Sequence, residues 1–190
     1  MAISTEMIEI ILPALVIGVL ISLTHSLFGL TILKKNIIFI DIAIAQIAGL
    51  GLIVASVIFH EYSFSYQFIA LLFALSASIF FYYIEKTNPE IQEAVIGSSF
   101  ILSASLAILL LANHAHGDEE ITNLLSGQIL FVTFSEILQH APIYILILTI
   151  WFLIPKIRAG VGFYIMFAFL ITSSVQSVSY THLRAHETSI

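Results

Sequence analysis

The sequence predicts an all-α, polytopic transmembrane bundle of about six spans, and three observations predict it. Of 190 residues, 59% are hydrophobic and only 9% charged, with a mean hydropathy of +1.07. A chain this short cannot hide that much apolar surface from water, because its surface area is large relative to its volume. The apolar residues also fall in runs of roughly 20, the length that crosses a bilayer as a helix, with short polar breaks between them. Finally, the few cations recur at alternate breaks, as the charge bias of membrane proteins requires.

The first run, Ile8 to Leu27, is apolar apart from Glu9 near its start and the cluster Ser22, Thr24, His25 and Ser26 near its end. The preceding residues lack the basic segment of a cleavable signal, so the chain is read as entering its first span directly. His25 is read as a hydrogen-bonded histidine near the span's end, with a transport role as the alternative. Lys34, Lys35 and Asn36 make the first break, and Ile37 to Phe59 forms the second span.

That second span carries the most unusual residues. Asp41 is the only acid between Glu9 and Glu61, and a charge at bilayer depth costs on the order of 3 kcal/mol on insertion scales. It is an interfacial residue paired with Lys34 or Lys35, a pathway or gating residue, or a metal ligand. Gln46 follows about 140° around the helix, so the two do not make one ideal site. Gly49 and Gly51 are expected to let a neighbouring helix approach closely.

After a turn at His60 to Ser65, Tyr66 to Ile84 forms the third span. Phe80, Phe81, Tyr82 and Tyr83 crowd its end, in the manner of an interfacial aromatic belt. The polar stretch Glu85 to Gly97 is expected to form a short surface helix. Asn88 would be its N-cap, Pro89 would open its first turn, and Glu90 would lie favourably against the helix dipole. It leads into a fourth span, about Ala94 to Ala112.

The next loop places His114, His116, Asp118, Glu119 and Glu120 within seven residues. Imidazoles and carboxylates are ligands for zinc and, less selectively, manganese or iron, although such loops also serve as plain solvated connectors. An amphipathic segment, QILFVTFSEILQH, precedes a fifth span, Ile137 to Ile154, with a kink expected at Pro142. Lys156 and Arg158 close it. Gly162 to Val178 is the sixth span, and residues 1–178 form one membrane domain. Residues 179–190, SYTHLRAHETSI, lose the apolar pattern, and no packed contacts are expected of them.

With alternating spans, Lys34, Lys35, Lys86, Lys156 and Arg158 share one face, which the positive-inside rule makes cytoplasmic. The N-terminus and the His114 loop are then outside. The net charge of −6 does not suggest nucleic acid, and the absence of cysteine excludes disulfides, thiolate metal sites and thiol catalysis. No glycine-rich phosphate loop is present, so ATP hydrolysis would fall to another protein.

Four stretches, in order from Leu30 to Val178, resemble the permease subunit of the zinc/manganese-type ABC importers. IFIDIAIAQIAGLG resembles the family's alanine-rich helix with an aspartate ahead of a glycine. QEAVIGSSFILSASLAILLL resembles its acidic entry into a span, ITNLLSGQILFVTFSEIL its leucine-glycine segment, and FYIMFAFLITSSVQSV a late helix. The resemblance implies a homodimeric, non-enzymatic membrane permease with two cytoplasmic ATPases and an external metal-binding protein. Its only bound species would be the transported divalent ion.

On this basis Asp41, Gln46, Gly49 and Gly51 would border the transport path. His114, His116, Asp118 and Glu119 would meet metal outside, and Asn88, Pro89, Glu90 and Glu93 would couple to the ATPase. The sequence departs from the family at Ala45, where many members have a histidine, and at the short turn IPKIRAG, where a coupling helix is usual. The family's further spans are also replaced by the polar tail, so a truncated product is expected. The alternatives are a secondary metal-ion transporter or channel-like protein that needs no ATPase, and, more remotely, a membrane metalloenzyme using His114 and His116.

Overall fold

A computed structural model describes residues 5–59, 64–112 and 134–179, with side chains over 11–59, 66–112, 137–138 and 140–175. The described residues are almost entirely helical. In chain order the helices are α1 (Thr5–Lys35), α2 (Ile40–Ile58), α3 (Phe64–Thr87), α4 (Gln92–Leu111), α5 (Phe134–Leu153) and α6 (Gly160–Ser179). Short 3-10 turns at Pro89–Ile91 and Pro155–Arg158 lead into α4 and α6.

Four helices have the length and composition to cross a membrane: Ile11–Lys35, Ile40–Ile58, Tyr66–Thr87 and Pro89–Leu111. The described parts of the last two helices, His140–Leu153 and Gly160–Val175, are apolar but shorter. The chain is therefore a multi-pass membrane protein.

Why α1 stops where it does follows from Asn36. Its φ of 57° lies in the left-handed region, which Asn tolerates better than most residues. The Asn36 N–H donates to Leu33 O and the Ile37 N–H to Ile32 O, both at 3.3 Å, satisfying two carbonyls that the helix end leaves open. α1 thus runs a further two turns beyond the expected Leu27, up to the lysine pair.

At the centre lies α2, which packs along α3 and α4 and reaches α6. Half of its apolar span is buried, against 28% or less for the other three long helices. Its buried positions include Ala43, Ala48, Gly51 and Ala55, small residues that let helices approach where lipid supplies no hydrophobic drive.

On the other side, α6 joins α2 and α3 to α1 and α5. The joint is aromatic. Phe28 of α1 is fully buried, with its ring centroid 4.3 Å from Trp151 of α5 and 5.7 and 5.9 Å from Phe163 and Phe167 of α6. α5 passes through Pro142 without interruption.

Two local expectations are corrected. The short surface helix expected between the third and fourth spans is present but smaller than the polar stretch Glu85 to Gly97: α3 continues to Thr87, and the exposed 3-10 turn Pro89–Ile91 alone separates it from α4. Asn88 does occupy the cap position ahead of Pro89, but its side chain makes no capping hydrogen bond. The aromatic cluster that ends α3 is split as well. Phe80 and Tyr83 are exposed, whereas Phe81 is fully buried in the core, because consecutive helical residues point about 100° apart.

Candidate functional site: the α2 stripe and the lysine end

Asp41 stands in the first turn of α2 and is half-buried. Among the described residues it has no ion pair with either lysine of the α1 end. Lys35 instead pairs with Glu85 at the end of α3, and its ammonium lies 5.8 and 5.7 Å from the ring centroids of Phe163 and Tyr164. The ionisable group that acts on Asp41 is the His25 imidazole, carried by α1.

His25 keeps the hydrogen bond expected of it, with Nδ1 2.9 Å from Ile21 O. If that nitrogen carries the proton, Nε2 is left as the lone-pair donor. Sequence reasoning had not joined His25 to Asp41, because the helices that carry them are separate spans. The available signal was that, apart from Glu9 near the start of the first run, these two are the titratable residues inside the first two apolar runs.

The four residues expected to border a path divide between different faces of α2. Asp41, Ala45 and Gly49 recur every fourth residue and so form one stripe. A Cβ added at Gly49 would meet nothing within 4 Å, so this glycine leaves space rather than admitting a helix. Gly51 does what was expected of both: a Cβ there would lie 3.0 Å from Ala70 Cα and 3.1 Å from Phe73 Cβ. Gln46 is half-buried and lies on neither line.

A second polar cluster, at the lysine end, joins the termini of five helices. Gln92, only 3% exposed, donates through Nε2 to Tyr164 Oη of α6 at 2.7 Å and to Phe81 O of α3 at 3.3 Å. Glu85, the partner of Lys35, closes α3 beside this cluster, and the Lys35 ammonium lies over the Tyr164 ring. The next residue, Glu93, accepts the N–H of Phe39, the residue capping α2, at 3.1 Å. A carboxylate there faces the positive ends of both α2 and α4.

Asn88, Pro89, Glu90 and Ile91 are exposed on their turn, while Glu93 is turned inward to Phe39. The two other expected cation positions share this end: Lys86 follows Glu85 directly, and Arg158 donates from Nε to Trp151 O at 2.9 Å, just before α6 begins. His114, His116, Asp118 and Glu119, like residues 180–190, lie outside the described residues. No cluster of three or more His, Cys, Asp or Glu side chains fit to hold a metal occurs among the described residues.

A multi-pass helical bundle with a partly buried acid on its central helix is the class of membrane protein that the fold defines. A family model described as the ABC 3 transport family matches residues 7–185. The chain belongs to that family, the permease family of metal ABC importers, and is a transport component, not an enzyme. No curated protein and no solved structure matches it.

Proposed function

We propose that the chain is the permease subunit of an ATP-driven importer of a divalent metal ion such as zinc, manganese or iron, in the plasma or inner membrane. Family membership over nearly the whole chain is the observation that carries this reading. Asp41 supports it, as the partly buried carboxylate of the central helix, under the electrostatic influence of His25 and on the same helix stripe as Gly49, which has open space beside it. A carboxylate and an imidazole from two helices suit a passing divalent ion, since each is a ligand and a pair holds it less firmly than a closed site.

The lysine end is the cytoplasmic end by the charge rule, and its exposed Asn88–Ile91 turn faces the ATPase. The opposite loop, with His114, His116, Asp118 and Glu119, receives metal from an external binding protein. The permease works as a pair of copies around a shared path. The metal is cargo; no cofactor is held permanently.

The test is metal uptake into cells or vesicles that carry the permease with its own ATPase and binding protein. Uptake should cease when the ATPase is replaced by a hydrolysis-dead variant. Uptake unaffected by the dead ATPase would favour a secondary transporter instead.

A further inference from the structure

We infer that Gln92 and Glu93 are positioning residues that carry movement of the exposed Asn88–Ile91 turn to α6 and to the start of α2. This rests on the preceding reading, in which a cytoplasmic ATPase acts on that turn. Its basis is how abruptly the chain passes from surface to core. Residues 88–91 are all exposed, and the next residue, Gln92, is buried.

From this point two polar arms diverge. Gln92 grips α6 through the Tyr164 hydroxyl and α3 through the Phe81 carbonyl. Glu93 grips α2 through the Phe39 N–H, two residues before Asp41. Both arms start in the first turn of α4, so displacing the Asn88–Ile91 turn must move them together.

The arms are not interchangeable with apolar packing. The Gln92 bonds are buried, where a hydrogen bond counts for more than it does in water. Both arms also have direction, so a shift of α4 pulls on α2 at one atom. Glu93 Oε2 is buried with no protein partner, leaving the carboxylate attached to α2 by Oε1 alone. A single bond of this kind can be made in one state of the cycle and broken in the other. The Lys35 ammonium, paired with Glu85, lies 5.7 Å from the Tyr164 ring centroid, so the end of α1 meets the same cluster.

The experiment counts zinc or manganese ions imported per ATP hydrolysed, with the permease, its ATPase and its binding protein reconstituted in vesicles. Glu93→Ala and Tyr164→Phe should each lower that ratio about fivefold or more while ATPase binding and hydrolysis persist. Glu93→Gln, whose amide oxygen still accepts the Phe39 N–H, should stay near the native ratio. A native ratio in both Glu93→Ala and Tyr164→Phe overturns the inference, and so does a Glu93→Gln loss equal to that of Glu93→Ala. Should Glu93→Ala fail to assemble, Tyr164→Phe decides alone, since it removes one hydroxyl without changing shape. Uptake that ignores ATP sinks the importer reading and this inference together, whereas normal ATP-dependent uptake with unmoved ratios sinks only the inference.

Discussion

α2 and α4 are both apolar enough to cross a membrane, yet half of the α2 span is buried and only 22% of the α4 span. The difference is one of side-chain size. α2 turns Ala43, Ala48, Gly51 and Ala55 towards its neighbours, while α4 presents Ile101, Leu102, Ile108 and Leu109 outward, each more than half exposed. In a bilayer, large apolar residues gain nothing by leaving lipid for protein, so small residues mark the contacts. Hydropathy finds the span; the stripe of small residues finds its neighbours.

The sharpest way to break this contrast is Gly51→Leu. The added side chain would run into Ala70 and Phe73, and overpacking of this kind costs about 1–3 kcal/mol. Thermal unfolding of the purified protein in detergent should show the loss, and an unchanged midpoint would remove the close α2–α3 contact. Next comes Gln92→Ala, which takes the donor from the Tyr164 hydroxyl and the Phe81 carbonyl. Loss of a buried partner costs about 1–3 kcal/mol, and the same melting assay should place it at or below Gly51→Leu.

Gly49→Ala should act in the opposite sense on stability. The Cβ meets nothing, and replacing glycine inside a helix by alanine gains about 0.5–1 kcal/mol. If the stripe from Asp41 lines the path, uptake should nevertheless fall as stability rises. The smallest effect is expected at Leu109, 66% exposed on α4. Leu109→Ala should change stability by about 0.5 kcal/mol or less, and a larger drop would mean that this face is covered by protein.

Much of the architecture was legible in the sequence because the bilayer imposes length and forces polar breaks to the surface. The spans began and ended near their predicted limits wherever a polar cluster stopped them. Where the end depended on one backbone angle, as at Asn36, or on a three-residue turn, as at Pro89–Ile91, periodicity carried no signal.

The site was less legible. Asp41 stood out as a lone charge, but its electrostatic link to His25 crosses between helices, and no spacing rule reaches across a bundle. Gly49 and Gly51 look alike in the sequence, and only the position of α3 makes one a contact and the other a space. Glu93 was expected to couple to the ATPase together with Asn88, Pro89 and Glu90. It points inward because Phe39, at the start of α2, offers an unpaired N–H that the helix itself cannot satisfy.

The central claim is that the Asp41 face of α2 borders a watery metal path while the outer face of α4 meets lipid. The chain contains no cysteine, so single cysteines can be placed without background. The most direct measurement is labelling of Ala45→Cys, Gly49→Cys and Leu109→Cys by a charged, membrane-impermeant thiol reagent in the assembled transporter, with and without zinc or manganese. The account predicts that Ala45→Cys and Gly49→Cys react and are protected by metal, while Leu109→Cys stays unreactive. Labelling of Leu109→Cys with silence at both α2 positions would contradict it.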